Sequence, residues 1–436
     1  MNNKEKATTM KLDVKPALTP KLRFPEFRGA EEWKAIPLNQ LAARSKKKNR
    51  DEKIVRVLTN SAEFGVMDQR DYFDKDIATQ GKLDGYFVVE LGDYVYNPRI
   101  STTAPVGPIS KNNIATGVMS PLYTVFKFKD RNNDFYTHYF KTTCWHAYMR
   151  QVSSTGARHD RMAISSDDFI AMPMPVASPE EQQKIADFLS SLDDLIAGQA
   201  RKLDALKTHK KGLAQQLFPR EGETEPRLRF PEFQNAGAWE EKQLGDMCVL
   251  VRGPFGGSLK KEIFVESGYA VYEQSHAIYG DFTSFRYYIP EAKYDELKRF
   301  SVMPGDIIMS CSGTMGKFAI VPQGARLGVI NQALLKLSVR RGGIPVFLKE
   351  VLELPTNQEQ LLSQSAGGAI KNVVSVSQIK ELELLIPSLP EQQRIVDCLS
   401  CLDDLIAAQS AKLEALTTYK KGLTQQLFPS RAEVEA

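Results

Sequence analysis

The chain has 436 residues, enough for two or more domains that each bury a core of their own. Its formal net charge of +4 permits nucleic-acid binding without requiring it. It has no run of about 18 apolar residues and no apolar segment near its start, so neither a membrane span nor a signal peptide is expected. Five cysteines, an odd number spread over a long chain, fit a reducing compartment, and the cytoplasm is expected.

The first part of the chain combines a polar tail with a region of short apolar runs. Residues 1–20 are the expected N-terminal tail, and residues 21–177 form a globular region that opens with LRFPEF at Leu22–Phe27. The runs alternate and are broken by Gly, Pro, Asn and Asp, which predicts strands in a mixed α/β unit. A helix is predicted over Phe135–Arg150. Strands are predicted at Gly85–Glu90, Asp93–Tyr96 and Leu122–Phe128.

Residues 178–219 predict a single long helix. Ser178 suits the N-cap position, and Glu181 three residues later completes an S-x-x-E capping box. Pro219 ends the helix because proline lacks an amide donor and clashes with the preceding turn. At 1.5 Å per residue such a helix is roughly 60 Å long.

A second globular region follows a polar linker. The linker covers residues 220–227, and the region covers residues 228–387 and opens with a second LRFPEF at Leu228–Phe233. Its pattern of short runs resembles that of the first region, although the two sequences differ strongly. A helix is predicted over Pro345–Leu354. Strands are predicted at Met247–Val251, Tyr269–Tyr272, Asp306–Met309, Phe318–Val321 and Ala333–Val339.

The long helix then returns as residues 388–429, and residues 430–436 form a short C-terminal tail. Most positions are identical between the two copies, including the S-x-x-E box at Ser388 and Glu391 and the closing QQLFP. An internal repeat of this kind indicates that the chain is a tandem duplication.

The apolar residues of both helices recur at alternating spacings of four and three, which predicts a coiled coil. Polar residues interrupt this seam at matching places, Gln199 and Lys210 in the first helix and Gln409 and Lys420 in the second, and such breaks typically set register. The alternative is that each helix packs only on its own domain. The seam residues are Ile185, Leu189, Leu192, Ile196, Leu203, Leu206, Leu213, Leu217, Ile395, Leu399, Leu402, Ile406, Leu413, Leu416, Leu423 and Leu427.

Connectivity predicts the direction of this pair. A compact region can join the end of the first helix to the start of the second only if those ends are adjacent, so the helices are expected to be antiparallel. The repeats therefore predict an α/β (α+β) protein with two pseudo-twofold-related globular domains separated by a long antiparallel two-helix coiled coil. Similar helices with dissimilar globular regions present two equivalent scaffolds that carry two different surfaces.

One glycine-rich segment, Gly313–Lys317, resembles half of a nucleotide-binding phosphate loop. The earlier glycine of that motif is replaced by Cys311, and Phe318 stands where a Ser or Thr would hold magnesium. We therefore interpret the segment as a glycine-rich turn between strands.

Other chemical motifs are incomplete. Cys398 and Cys401 have the spacing of a metal or redox pair, but the first helix has Phe188 and Ser191 at the equivalent positions, and no second pair accompanies them. Asn97–Ile100 (NPRI) fails at two places to match the Asn/Asp-Pro-Pro-aromatic motif of an adenine methyltransferase. No catalytic residue and no metal site are predicted.

DNA binding is the more plausible chemistry, because Lys and Arg bind phosphates and Arg, Lys and Asn read base edges. For any one such residue the alternative is a solvated surface charge, since Lys and Arg are mostly exposed. The prediction of DNA binding is stronger for the whole group, because such residues occur in both globular regions. The candidates are Lys46, Lys47, Lys48, Arg50, Arg99, Arg158, His159, Arg161, Arg252, Lys260, Lys261, Arg286, Lys317, Lys371 and Asn372.

These features together resemble the specificity subunits of type I restriction–modification enzymes. The resemblance rests on two diverged regions, each followed by a long helix with EQQ-x-I near its start and KKGL-x-QQLFP at its end. RFPEF before each region and SGTMGK at Ser312–Lys317 are also similar to that family. The resemblance covers Lys21 to Pro429.

The resemblance implies that each globular region is a target recognition domain, and that the two domains read the two halves of a bipartite, asymmetric site in double-stranded DNA. The helices would set the spacer and dock two methyltransferase subunits. Those partners are expected to use S-adenosylmethionine, and motor/endonuclease subunits to use ATP and Mg²⁺, whereas this chain would hold no cofactor and catalyse neither reaction. The alternative is a non-catalytic two-headed adaptor that binds proteins.

Overall fold

The computed structural model describes residues 18–72, 83–153, 160–254, 256–363 and 375–429. Its contacts divide the chain into two compact units. The first unit comprises Met1–Ala200 and Ala411–Ala436, and the second comprises Arg201–Ser410. Each unit therefore combines one globular region with the beginning of one long helix and the end of the other.

The first unit is built mainly from short strands. Its largest sheet has four antiparallel strands in the order β2-β9-β6-β7, and the remaining strands form three antiparallel pairs, β1-β10, β3-β4 and β5-β8. Its elements are β1 (Lys34–Pro37), α1 (Leu38–Leu41), β2 (Ala42–Arg44), β3 (Leu58–Ser61), β4 (Gly65–Asp68), α2 (Gln69–Tyr72), β5 (Phe87–Val89), β6 (Tyr94–Tyr96), β7 (Ile109–Lys111), β8 (Gly117–Met119), β9 (Thr124–Phe128), α3 (Asp134–Tyr139), α4 (His146–Val152), α5 (Ser166–Ile170), β10 (Pro173–Val176) and the start of α6 (Pro179–Leu217).

The second unit repeats this framework with a different sequence. Its four-stranded sheet has the order β12-β18-β15-β16, β11 pairs with β19, and a third sheet, β14-β13-β17, contains a parallel pair, β13-β17. Its elements are β11 (Glu240–Gln243), α7 (Leu244–Met247), β12 (Cys248–Arg252), β13 (Tyr269–Tyr272), α8 (Gln274–Tyr279), β14 (Tyr288–Ile289), α9 (Glu291–Glu296), β15 (Ile307–Ser310), β16 (Phe318–Ile320), β17 (Gly328–Ile330), β18 (Leu334–Val339), α10 (Pro345–Leu352), α11 (Pro355–Ser363), α12 (Val376–Lys380), β19 (Glu383–Ile386) and the start of α13 (Leu389–Leu427).

The two long helices, each of 39 residues, run antiparallel. In the first unit Leu189 near the start of α6 shares a core with Leu427 at the end of α13. In the second unit Leu217 at the end of α6 shares a core with Ile395 near the start of α13. Every predicted seam leucine and isoleucine is buried or half-buried. The predicted α/β class and antiparallel coiled coil are thus confirmed.

The predicted helix over Phe135–Arg150 is wrong, because α3 and α4 divide that stretch. The Thr142 hydroxyl donates to the carbonyl of Tyr139 at 2.7 Å, and the Trp145 indole donates to the carbonyl of Phe140 at 3.2 Å. These bonds occupy carbonyls that a continuous helix would use for its own backbone ladder. Among the described residues, no helix is long and apolar enough to span a membrane.

Candidate nucleic-acid interface

The first group of predicted DNA-binding residues follows β2. Lys46, Lys47, Lys48 and Arg50 are all exposed. Lys47 Nζ lies 2.9 Å from Glu90 Oε1, and this hydrogen bond raises the pKa of the lysine and lowers that of the glutamate. The other three cations make no ion pair within the described ranges, so they are the ones free to meet a phosphate.

A second group brings together two arginines that are far apart in the sequence. Arg99 and Arg161 face each other in an isolated antiparallel bridge, because the amide of Ile100 donates to the carbonyl of Asp160 at 3.0 Å. Both guanidinium groups approach the Asp160 carboxylate, at 3.9 Å from Arg99 and 3.6 Å from Arg161. The candidates Arg158 and His159 lie outside the described residues.

In the second unit Lys260, Lys261 and Arg286 belong to one exposed edge. The amide of Val265 donates to the carbonyl of Tyr288 at 3.0 Å, which joins the two segments that carry these cations. Arg286 lies over the ring of Tyr287, 4.9 Å from its centroid, and Phe264 stacks on the same ring at 4.4 Å. This edge therefore combines positive charge with aromatic rings, which is a common arrangement in nucleic-acid binding sites.

Two further candidates flank the loop between β15 and β16. Lys317 ends the loop and is exposed, whereas Arg252 is half-buried and donates to the carbonyls of Gln332 (3.1 Å) and Cys311 (3.5 Å). Arg252 is thus not placed to reach a base edge directly. The candidates Lys371 and Asn372 lie outside the described residues.

Each unit also contains a buried cluster that was not predicted from the sequence and that we call the latch. In the first unit the latch consists of Arg23, Trp33 and Glu181. Arg23 donates to both carboxylate oxygens of Glu181 at 2.7 Å, and the Trp33 indole donates to the same carboxylate at 3.1 Å. Because Glu181 is buried, the bidentate ion pair and the indole together supply the partners that its charge requires. The latch fixes the start of α6 to the segment that opens the globular region.

The second unit contains the same latch, formed by Arg229, Trp239 and Glu391. Arg229 donates to both carboxylate oxygens at 2.8 Å, and the indole lies 3.4 Å from Glu391 Oε1. The predicted capping boxes are therefore wrong in one respect, because both glutamates bind Arg and Trp rather than the helix N-terminus. The repetition of RFPEF, Trp and EQQ was the signal that could have revealed this contact.

The two lysines among the polar breaks of the seam are ion-paired. In the second unit Lys210 Nζ lies 2.8 Å from Asp403 and 3.5 Å from Glu350. Burial acts to lower the pKa of Lys210, but the two carboxylates outweigh burial and raise it. In the first unit Lys420 contacts Asp193, with the roles of the two helices exchanged.

His138 takes the place of Glu350 in the first unit. His138 follows Phe135, the ring that packs on Trp33, by three residues, as Glu350 follows Phe347, the ring that packs on Trp239. Among its described residues the first unit thus lacks a second carboxylate beside Lys420, and burial, together with the charge of Lys141, outweighs the bond to Asp193 and lowers the pKa of Lys420.

Comparison with known proteins decides the family. Residues 32–208 and 237–418 each match the model of the type I restriction modification DNA specificity domain. The chain belongs to this family.

Within the described ranges, it has no cluster of three or more His, Cys, Asp or Glu placed to hold a metal ion.

Relatives in this family include three proteins of Methanocaldococcus jannaschii. The putative type I restriction enzyme MjaX specificity subunit is 22% identical over 63% of this chain and 63% of its own length. The MjaVIII specificity subunit is 21% identical over 73% of this chain and 75% of its own length, and the MjaIX specificity subunit is 23% identical over 77% of each.

Two solved structures share the fold. The type I restriction-modification system S subunit of M. genitalium superposes with a TM-score of 0.55 at 15% identity, over 95% of this chain and all of that one. A chain from a study of complex assembly and conformational transition of the type I R-M system also gives a TM-score of 0.55 at 15% identity, over 91% of this chain and 97% of that one.

Proposed function

We propose that this chain is the DNA sequence-specificity subunit of a type I restriction–modification complex and catalyses neither methylation nor cleavage. The observation that carries the proposal is the duplication itself. Two units have the same order of strands in the main sheet but different surface residues, and nearly identical helices accompany them. A duplicated scaffold with two unlike surfaces suits the reading of two unlike half-sites.

Each globular region would act as a target recognition domain. Its exposed cations would neutralise phosphates and so fix the register of the protein on the duplex, while base-edge contacts would supply the specificity. Since the two regions present different side chains, the site they read need not be palindromic. The coiled coil would set the number of unread base pairs between the halves, as dimer geometry sets the spacing of operator half-sites.

The helices would also dock two methyltransferase subunits. Several positions are exposed in both copies and lie outside the seam, and they are nevertheless identical. They include Leu195 and Leu405, exposed by 49% and 39%, and the pair Asp194 and Asp404. Packing within the coiled coil does not require this identity, whereas binding the same partner twice does.

The cofactors of the complex would belong to its partners. S-adenosylmethionine would bind the methyltransferase subunits, and ATP with Mg²⁺ would bind the motor/endonuclease subunits, which join through the assembled complex. The chain would act in the cytoplasm, in keeping with five cysteines that form no disulfide among the described residues.

Mapping of methylated adenines in cells that express the chain with its partners tests the proposal. The expected result is methylation confined to one bipartite sequence with a constant gap and two different halves. Purified chain should also bind duplex DNA with an affinity that falls steeply with salt. Scattered methylation, or binding to proteins but not to DNA, would favour the two-headed adaptor.

A further inference from the structure

The loop between β15 and β16 has an arrangement that its role as a connection does not explain. We infer that the turn Ser312–Lys317 binds a phosphate group of the DNA backbone, an inference that rests on the proposed function. The loop lacks the residues needed to hold a nucleotide with magnesium, so the ligand is a single phosphodiester rather than a nucleotide.

The shape of the turn is fixed from both sides. The amide of Gly316 donates to the carbonyl of Ser310 at 2.9 Å, and the amide of Lys317 donates to the Ser310 hydroxyl at 3.0 Å. On the other side the Gln274 side chain accepts from the Ser312 hydroxyl (3.3 Å) and donates to the carbonyl of Thr314 (3.2 Å). These bonds hold the loop open without using the amides at its tip.

The amides at the tip have no hydrogen-bond partner among the described residues. Within the described part of the chain, the backbone N–H groups of residues 312–315 donate no hydrogen bond. Gly313 and Gly316 have positive φ angles of 61° and 71°, in the left-handed region. Successive unpaired amides around a left-handed residue form the kind of concavity that binds anions in proteins.

The charge around the turn is positive. Lys317 is exposed and makes no ion pair with any described residue. Arg252 lies at the base of the loop, where its guanidinium donates to two backbone carbonyls. Within the described residues it makes no ion pair, and its buried Nη1 has no hydrogen-bond partner. A half-buried cation without a carboxylate leaves a positive potential that a phosphate would neutralise.

The equivalent loop of the first unit, between β6 and β7, does not share this arrangement. There the amides of Ser101 and Gly107 both donate to the carbonyl of Ala104 at 3.0 Å, and that of Ile100 donates to Asp160. Among the described residues of that loop, only two successive amides, those of Thr102 and Thr103, donate no hydrogen bond, whereas the second loop has four in a row.

The test uses the full chain assembled with its modification partners and a duplex that carries the mapped site. Single phosphates of the duplex are replaced in turn by neutral methylphosphonates. One replacement near the half-site read by the second domain should weaken binding about tenfold, the value of a charged hydrogen bond. Lys317→Ala and Gly313→Ala should each weaken binding to the unmodified duplex by a similar factor and should be insensitive to that replacement.

The two variants separate charge from geometry. Gly313→Ala keeps the net charge but disfavours the left-handed turn, whereas Lys317→Ala should also lower the slope of log affinity against log salt by about one. Lys349→Ala is the control, because that lysine already pairs with Glu353 at 2.7 Å. This variant should bind the unmodified duplex like the wild type, and the methylphosphonate replacement should weaken its binding as it does that of the wild type.

The outcomes separate this inference from the proposed function. If the complex prefers its site but both variants stay sensitive to every methylphosphonate, the turn does not hold a DNA phosphate. If the wild type does not distinguish the site from an unrelated duplex, the proposed function is wrong. Inorganic phosphate should compete no better than chloride of equal ionic strength, and saturable phosphate binding at the turn would assign it to free phosphate instead.

Discussion

The latch shows how single residues join a globular region to the start of a long helix. Glu181 is buried, and replacing it by Gln leaves the Arg23 guanidinium without its counter-charge. Removing one member of a buried ion pair typically costs about 3–5 kcal/mol. We therefore expect Glu181→Gln to lower the free energy of unfolding of the first unit by about that amount, as measured by urea denaturation.

The matched control is Glu26→Gln. Glu26 pairs with Lys184 at 3.3 Å, but both side chains are about half exposed. Exposed pairs contribute little to stability because water and salt screen them, so this change should be nearly neutral. Equal effects of the two substitutions would show that the latch carries no special stabilisation.

We expect His138 to make the stability of the first unit depend on pH. Its Nε2 lies 3.1 Å from the Ser190 hydroxyl, and burial, followed by the charges of Lys141 and Lys420, lowers its pKa from 6.5 to about 4. Between these two values the unfolded chain binds more protons, so stability should fall as the pH falls from 6.5 toward 4. The expected loss attributable to His138 is about 2 kcal/mol at pH 4.5 relative to pH 7.

Urea denaturation at both pH values measures this loss. His138→Gln should reduce the difference, and part should remain because burial also lowers the pKa of His146 to about 4. His209→Gln is the control, since that histidine is exposed on α6. A pH difference that His138→Gln leaves unchanged would contradict the assignment.

At the scale of elements, the sequence predicts best those helices and strands whose apolar pattern is contained within one continuous segment. The long helices could be predicted closely because their apolar spacing is regular, and β13 because it is a short, continuous apolar run. The hairpin β3-β4 could not, because β3 buries polar residues. Asn60, for example, is buried and donates to the carbonyl of Val95 at 2.8 Å. Such bonds depend on partners distant in sequence, as do the order of strands in each sheet and the two latches.

The exposed leucines of the helices lead to a prediction about assembly. Leu195→Glu and Leu405→Glu should each reduce the number of bound methyltransferase subunits from two to one, because each puts a charge at one of the two proposed docking positions. The double variant should bind none. Native mass spectrometry of the reconstituted complex measures the stoichiometry.

Tyr419→Glu is the control for this experiment. Tyr419 is also exposed on its helix, by 59%, but the equivalent residue of the other copy is His209. A surface that differs between the copies is not expected to bind the same partner twice. Retention of two subunits by both single leucine variants would place the docking surface elsewhere.

For the whole molecule, the duplication predicts that the order of the chain can be changed without changing the fold. In the first unit the amide of Leu22 donates to the carbonyl of Gln426 at 3.0 Å. In the second unit the amide of Leu228 makes the same bond to Gln216 at 2.9 Å. The start of the chain thus meets the end of α13 as the segment after the linker meets the end of α6.

A circular permutant can exploit this equivalence. It would begin at Leu228, continue to Pro429, pass through a copy of the linker 220–227 to Leu22, and end at Pro219. Because folding depends on which surfaces meet and not on where the chain is cut, we expect native helix content and a melting temperature within a few degrees of the wild type. The mapped methylation site should keep both halves and the gap. A permutant with both halves but a different gap would show that the natural linker, rather than the paired helices, sets the spacing.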